Sequence, residues 1–340
     1  MNRKLFRVLA VTTLTCACLT AQNSPPSDDL NEIDSQPSRV FRTTVREAFN
    51  REDFAQLENI AATVRADKSH FVGGVRKLNV FYLTVQGPGS LTDSDAVWKA
   101  HIARLERWRT AYPESITPRV ALAQSYIRYA WKARGRGYAN TVTDESWQQF
   151  RGRVQQSRAI LEEAKPLSGN DPQWFHDMQT VALAQEWPRA QVDQLVESAI
   201  TAEPAYYYLY VAETNYLLPR WYGKPGEAEA FAKSIADRVG GQIGNFIYFR
   251  IAEAMDCCEG KNLLPALSWD RIKEGFNALE GLYGSINYQR NMMAYLALRN
   301  NDQEFANQMF SRIGDDWNQS VWKTKANFDG RIVIAPASAE

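Results

Sequence analysis

Residues 205–232 read "AYYYLYVAETNYLLPRWYGKPGEAEAFA", and the way this run divides decides the fold. Positions 205–218 are apolar on nearly every face of a 3.6-residue period, which predicts a helix buried inside a stack rather than lying on a surface. Pro219 ends that helix, because proline has no amide proton and biases Leu218 away from helical geometry. Pro225 then falls where the first turn of a new helix accepts proline. Glu227 and Glu229 bring negative charge to the positive end of that helix's dipole. The stretch reads as a corner between two helices.

The same period extends outward in both directions. In 94–112 the apolar face carries Val97, His101, Leu105, Trp108 and Tyr112; in 143–166 it carries Trp147, Phe150, Val154, Ser157 and Leu161. Ile272, Phe276, Leu279 and Tyr283 repeat the pattern. Alternation of period two is confined to "RIVIAP" at 331–336. Breaks at Pro113, Pro166–Gly169, Pro188, Pro204, Pro219, Gly240–Gly241 and Gly284 use the residues that stop and start helices. About fourteen helices are expected between roughly 38 and 314, paired as hairpins that start near 38, 71, 117, 171, 205, 242 and 286. Ala199 five positions before Pro204, and the A-x-x-x-F step at Ala306 and Phe310, are tetratricopeptide-like, although the full W-x-x-L-G-x-x-Y signature is absent. The predicted class is therefore all-α: stacked antiparallel hairpins forming a degenerate tetratricopeptide-like α-solenoid over 38–316, with a C-terminal tail at 317–340. A two-helix unit cannot bury its apolar face alone, so seven of them must stack.

The N-terminus, "MNRKLFRVLAVTTLTCACLTAQNSPPSDD", places Arg3, Lys4 and Arg7 before an uncharged apolar run from Val8 to Ala21. That run is too short for a bilayer-spanning helix of roughly 20 residues and reads as a signal peptide at 1–21, followed by a flexible acidic leader at 22–37. Export to the periplasm or outside the cell is expected. Lipoprotein processing at Cys16 or Cys18 is the alternative, although neither follows a Leu-x-Gly/Ala pattern. The whole chain carries 39 basic and 39 acidic residues, so losing three basic groups with the signal leaves it three charges negative. No nucleic-acid partner is expected from such a balance. Only Cys257 and Cys258 then remain. Adjacent in the chain and flanked by Asp256 and Glu259, they read as ordinary thiols, with a strained vicinal disulfide as the alternative.

Several chemistries fail on spacing. "GKPGE" lacks both the first glycine and the hydroxyl residue of a phosphate loop. No G-x-S-x-G is present, and the three histidines, His70, His101 and His176, never share a helix, so neither a serine triad nor a helical zinc site is expected. His101, on an apolar face, reads as a core residue. No cofactor and no metal are expected. What remains are two aromatic-basic clusters, Trp131 and Arg134 in "YIRYAWKARGRGYA" and Arg220 and Trp221 in "LLPRWYGKPG", together with Tyr207 and Glu213 on the helix between them. Each arginine is read first as stacked on its tryptophan at a helix end. The functional reading is a concave patch for a protein or peptide ligand. A different class of function, a helical toroid acting on a glycan, would use Asp177 and Glu213 as paired carboxylates some 5–10 Å apart.

"RVALAQSYIRYAWKARGRGYANTVTDESWQQFRGRV", "EPAYYYLYVAETNYLLPRWYGKPGEAEAFA" and the later "YGSINYQRNMMAYLALRNNDQEFANQMFSRIG" resemble a bacterial family of tetratricopeptide-like helical proteins catalogued as a domain of unknown function. The resemblance covers roughly 110–315, and "YAWKARG" and "LLPRWYGKPGE" are its most specific parts. It implies an all-α hairpin stack and carries no catalytic residues across.

Overall fold

The computed structural model describes residues 35–135, 141–259 and 266–333, except for the side chains of 168–170 and 256–259. The expected signal peptide, most of the leader, Arg136, Gly137 and the side chains of Cys257 and Cys258 lie outside these described residues. The described residues form sixteen α-helices and no strand. They are α1 Gln36–Asn50, α2 Phe54–Ala66, α3 Lys77–Val85, α4 Asp95–Ala111, α5 Thr117–Arg134, α6 Asp144–Ala164, α7 Pro172–Ala184 and α8 Arg189–Ala202. After them come α9 Tyr208–Tyr216, α10 Glu227–Val239, α11 Gly241–Glu259, α12 Trp269–Tyr283, α13 Asn287–Arg299, α14 Gln303–Ile313, α15 Gln319–Trp322 and α16 Lys325–Asp329. Within 36–313 the number is the fourteen expected.

Side-chain caps explain why such short connectors suffice. Asp53, Ser94, Thr143, Asp171, Ser268 and Asp302 each accept a hydrogen bond from a backbone amide in the first turn of the helix they precede. Each thus satisfies a donor the helix itself cannot.

The helices divide into two kinds. From α3 to α11 each odd-numbered helix packs on the next odd-numbered one, and α1 joins the row at its start. These inner helices are short of polar faces. In α5, fourteen residues are buried, among them every position from Thr117 to Ser125. The even-numbered helices lie against their chain neighbours and bury one stripe, as α10 does with Ala228, Ala232, Ile235 and Ala236. A helix apolar all round has to sit between others, whereas an amphipathic one belongs on the outside. Two large cores result, one running from Val45 to Leu209 and the other from Ala182 to Phe328, with a small third cluster of Phe71, Val75 and Val80. Trp187, Leu195 and Tyr208 pack against both and weld them.

Three expectations need correction. The inner helix of the corner starts at Tyr208 rather than 205, because Pro204 and Ala205 form a turn before it. Pro225 stands outside α10, whose N-cap is Gly226. In the same corner Gly223 passes so close to the carbonyl of Leu217 that no Cβ fits. The tail does not stop contributing at 317 either. Residues 331–333 form no strand, and α15 and α16 fold back onto α13 and its neighbours. Fully buried Trp322 donates from Nε1 to Oδ1 of Asn291 at 2.8 Å and rings with Tyr295, Phe310 and Phe328. The aromatic side chains of this segment make it part of the core.

Candidate functional site

Where the inner helices face the middle of the molecule, polar side chains are buried in a continuous seam. At the head of α7, Arg65 donates from Nε and Nη2 to Oδ2 of Asp171 at 3.0 and 2.7 Å, and from Nη2 to Thr117 Oγ1 at 3.0 Å. Tyr82 donates its hydroxyl proton to the same Asp171 oxygen at 2.5 Å. One turn on, Gln173 accepts from Tyr206 Oη at 2.6 Å and from Asn79 Nδ2 at 3.3 Å. Its Nε2 donates to Asp177 Oδ1 at 2.8 Å, and Nδ1 of His176 lies 3.1 Å away. Next come three consecutive tyrosines. Tyr208 stacks on Tyr207 at 4.0 Å and tilts against Tyr206 at 5.0 Å. Arg250 of α11 donates to Tyr207 Oη at 2.6 Å, lies 4.2 Å over its ring, and pairs with Glu253 one turn on.

Across this seam runs the connector between α2 and α3, Asp67–Arg76, which forms a tongue. It closes on itself through Phe71 N to Val75 O at 2.8 Å, Gly74 N to Phe71 O at 3.1 Å and Lys77 N to Ser69 O at 3.0 Å. Its tip reaches the corner between α12 and α13. There Gly73 N donates to Gly284 O at 3.1 Å, and Gln289 Nε2 donates to Gly73 O at 3.1 Å across 216 positions of sequence. Gln289 is fixed for that task, since its Oε1 accepts from the amide of Ile286. His70 stacks on Tyr283 at 4.2 Å, Lys68 pairs with Glu203 at 2.6 Å, and Arg76 lies 5.7 Å over Tyr206. Gly73 and Gly74 have φ of +90° and +78°. A Cβ at Gly74 would lie 2.8 Å from Phe246 Cε2, which real packing does not allow.

Docking of the tongue is incomplete in one respect. Ser69 Oγ, His70 Nε2 and Arg76 Nε are buried there without a hydrogen-bond partner. Each such atom costs about 1–3 kcal/mol. Burial, with Arg76 and Arg250 adding to it, pushes the His70 pKa down to about 3, so its ring is neutral. Beside the contact, Pro204, Ala205, Val239, Gly240, Gly241, Gln242, Ile243 and Leu282 line an open groove of about 430 Å³. Glu203 and Tyr283 adjoin it in sequence.

The residues singled out from the sequence are distributed rather differently. Trp131 and Arg134 are only 7% and 4% exposed, and Arg134 lies over both Trp131 and Trp147 at 5.4 Å. They hold α5 to α6 and present no face to a ligand, which corrects their assignment to a concave patch. Arg220 donates to Asn215 Oδ1 at 3.0 Å, and half-buried Trp221 packs on the second core, so the two clusters do not meet. Tyr207 does belong to the seam. Glu213 is 3% exposed, accepts no hydrogen bond at Oε2, and burial pushes its pKa up to about 7 against the lesser pull of Arg189. Asp177 is 2% exposed, and burial raises its pKa while the His176 contact lowers it. The charges acting on Asp177 are His176 and Asp171; those acting on Glu213 are Arg189, Asp193 and Glu227. The two carboxyls therefore respond to different neighbouring charges. His101 is buried with Nε2 at 2.9 Å from Val85 O, and burial pushes its pKa down to about 4.

Reading the sequence missed Arg76, Tyr206, Tyr208, Arg250, Glu253 and Gln289. The one local signal was the pair Gly73–Gly74 inside "SHFVGGVR", which marks a place where a backbone must approach closely. Among the described residues no cluster of His, Cys, Asp and Glu has the makings of a metal site, and no helix is long and apolar enough to cross a membrane. Compared with known proteins, the chain matches no family model, no curated protein and no solved structure.

Proposed function

We propose that this is an exported helical-repeat protein that binds a protein or peptide ligand, and that its helices stack as degenerate tetratricopeptide-like hairpins. Supporting the stack is the order of packing, in which each inner helix from α3 to α9 touches the next inner one, and α5, α7 and α9 also touch their own hairpin partners. The stops and starts that put inner helices at 77, 117, 172, 208, 241 and 287 support it too. The proposed export rests on the basic and apolar N-terminus, and likeness to the bacterial domain family on the stretches quoted above.

The observation that carries binding is the grip on the tongue. Gln289 and Gly284 hold a non-helical segment by its main chain, through the Gly73 carbonyl and amide. Main-chain hydrogen bonds supply affinity for any peptide, while pockets for particular side chains select among them. Beside it Tyr208 is part exposed and stacks on buried Tyr207, so one aromatic face is offered at low conformational cost. Both carboxyls of a glycosidase pair are too deeply buried to touch a sugar here.

Photo-cross-linking tests the reading. A photoreactive phenylalanine analogue is placed at Tyr208 on the seam and, as a control, at exposed Val97 in the purified protein, which is then exposed to extract of the native organism. A polypeptide cross-linked at Tyr208 and absent at Val97 is the expected result. A glycan adduct at Tyr208, or identical products at both positions, would remove the peptide-binding reading.

A further inference from the structure

The tongue has the properties of a ligand rather than of ordinary core. Its shape is closed by its own three main-chain bonds, so the turn survives without the corner it touches. Leaving the corner would release only the Gly73 amide and carbonyl from main-chain pairing there, and both can be taken up by water. The corner in turn is selective, because Phe246, Leu279 and Ile286 approach within 3.2 Å of where side chains at 73 and 74 would begin. It accepts glycine at both positions and nothing larger. Phe71 and Val75 are buried on the tongue's own side, with Phe41 of α1 and Val80 and Leu83 of α3, and Val72 at the tip is 49% exposed, so what the corner itself recognises is the glycine pair.

We infer that the corner formed by Phe246, Leu279, Gly284, Ile286 and Gln289 is a recognition site for a glycine-glycine turn, that the tongue is its resident occupant, and that a partner polypeptide bearing such a turn replaces it. The inference rests on the peptide-binding reading above and names its ligand class. A tethered tongue has an effective concentration of about millimolar or more, so an equal competitor in solution loses. A partner prevails by adding contacts that the tongue does not make. The groove lined by Pro204, Ala205, Gly240, Gly241 and Leu282 adjoins the corner and is open for them.

The probe is a fluorescent synthetic peptide of residues 67–77, used with the full chain. Gly74→Val puts a side chain against Phe246 and loosens the tongue; the Gly73→Asp/Gly74→Val double variant removes both glycines. Hydrogen exchange over 69–76 is expected to rise about tenfold or more in at least one of them, with helix content kept. That variant binds the peptide saturably, whereas wild type shows no binding up to about millimolar peptide. Adding Gln289→Ala weakens the binding about tenfold, the loss of one main-chain hydrogen bond. A peptide that itself carries Gly74→Val does not bind. The inference is overturned if both variants lose their helices, which would make the tongue an obligatory brace. It is equally overturned if the tongue stays protected in both, or if the freed corner ignores the peptide. Polypeptide capture at Tyr208 alongside any of those results would keep the peptide-binding reading and discard this ligand class alone.

Discussion

Asp171, at the head of α7, and Glu213, in the middle of α9, are both almost wholly buried, yet their surroundings have little in common. Asp171 receives Arg65 on two nitrogens, the Tyr82 hydroxyl and the Gln173 amide. Around Glu213 the cation that acts on it, Arg189, is already held by Asp193 at 2.6 Å and Glu227 at 2.7 Å, and Oε2 accepts nothing. Donors on both oxygens offset the cost of burying a carboxyl, whereas burial without them favours the protonated form, as at Glu213. The first region holds elements far apart in sequence to one another, since Arg65 and Asp171 are 106 positions apart. The second makes the protein sensitive to pH near neutrality.

That contrast yields graded expectations. Removing the cation at the first site, Arg65→Ala, breaks a buried pair by taking away one partner and is expected to cost about 3–5 kcal/mol, read from urea unfolding at pH 7. A cost near zero would mean that the Arg65–Asp171 contact does not hold these elements together. At the second site the effect lies in the pH profile. In the unfolded chain the Glu213 carboxyl ionises at its ordinary value of 4.5, whereas the folded protein keeps the proton up to about 7. Between those values the native state binds more protons, so stability falls as pH rises through the window and levels off above it, by up to about 3 kcal/mol. Glu213→Gln should flatten that part of the profile; an unchanged slope would assign it to other groups. Tyr82→Phe keeps the ring and removes one donor to an ion, for which about 1.5–3 kcal/mol is expected in the same assay. At the bottom of the scale, Arg238→Ala breaks an exposed two-pronged pair with Glu197 and should change the midpoint by under about 1 kcal/mol, less in high salt.

Much of the fold was legible residue by residue. The period in 94–112 became α4, the one in 143–166 became α6, and Ile272, Phe276 and Leu279 lie buried on α12. The seven starts expected near 38, 71, 117, 171, 205, 242 and 286 compare with 36, 77, 117, 172, 208, 241 and 287. The largest gap, at 71, is the tongue, which packs Phe71 and Val75 on α1 and α3 while its glycine tip reaches the distant corner at Gly284 and Gln289. The functional residues were read less well. Aromatic-basic runs looked like ligand patches, but a tryptophan three residues from an arginine at a helix end satisfies itself, as Trp131 and Arg134 do.

The sequence by itself determined that this chain is helical, where its helices break, and which of them lie inside. Those properties depend on contacts within a few residues: hydrophobic period, a capping side chain, a proline without its amide proton. Only the tertiary structure decided that Gly73 meets Gly284 and Gln289, that the Tyr206–Tyr208 row faces Arg250, and that Asp177 and Glu213 respond to different neighbouring charges. Such meetings follow from small packing angles accumulated over a dozen helices, and no local window of sequence contains that sum.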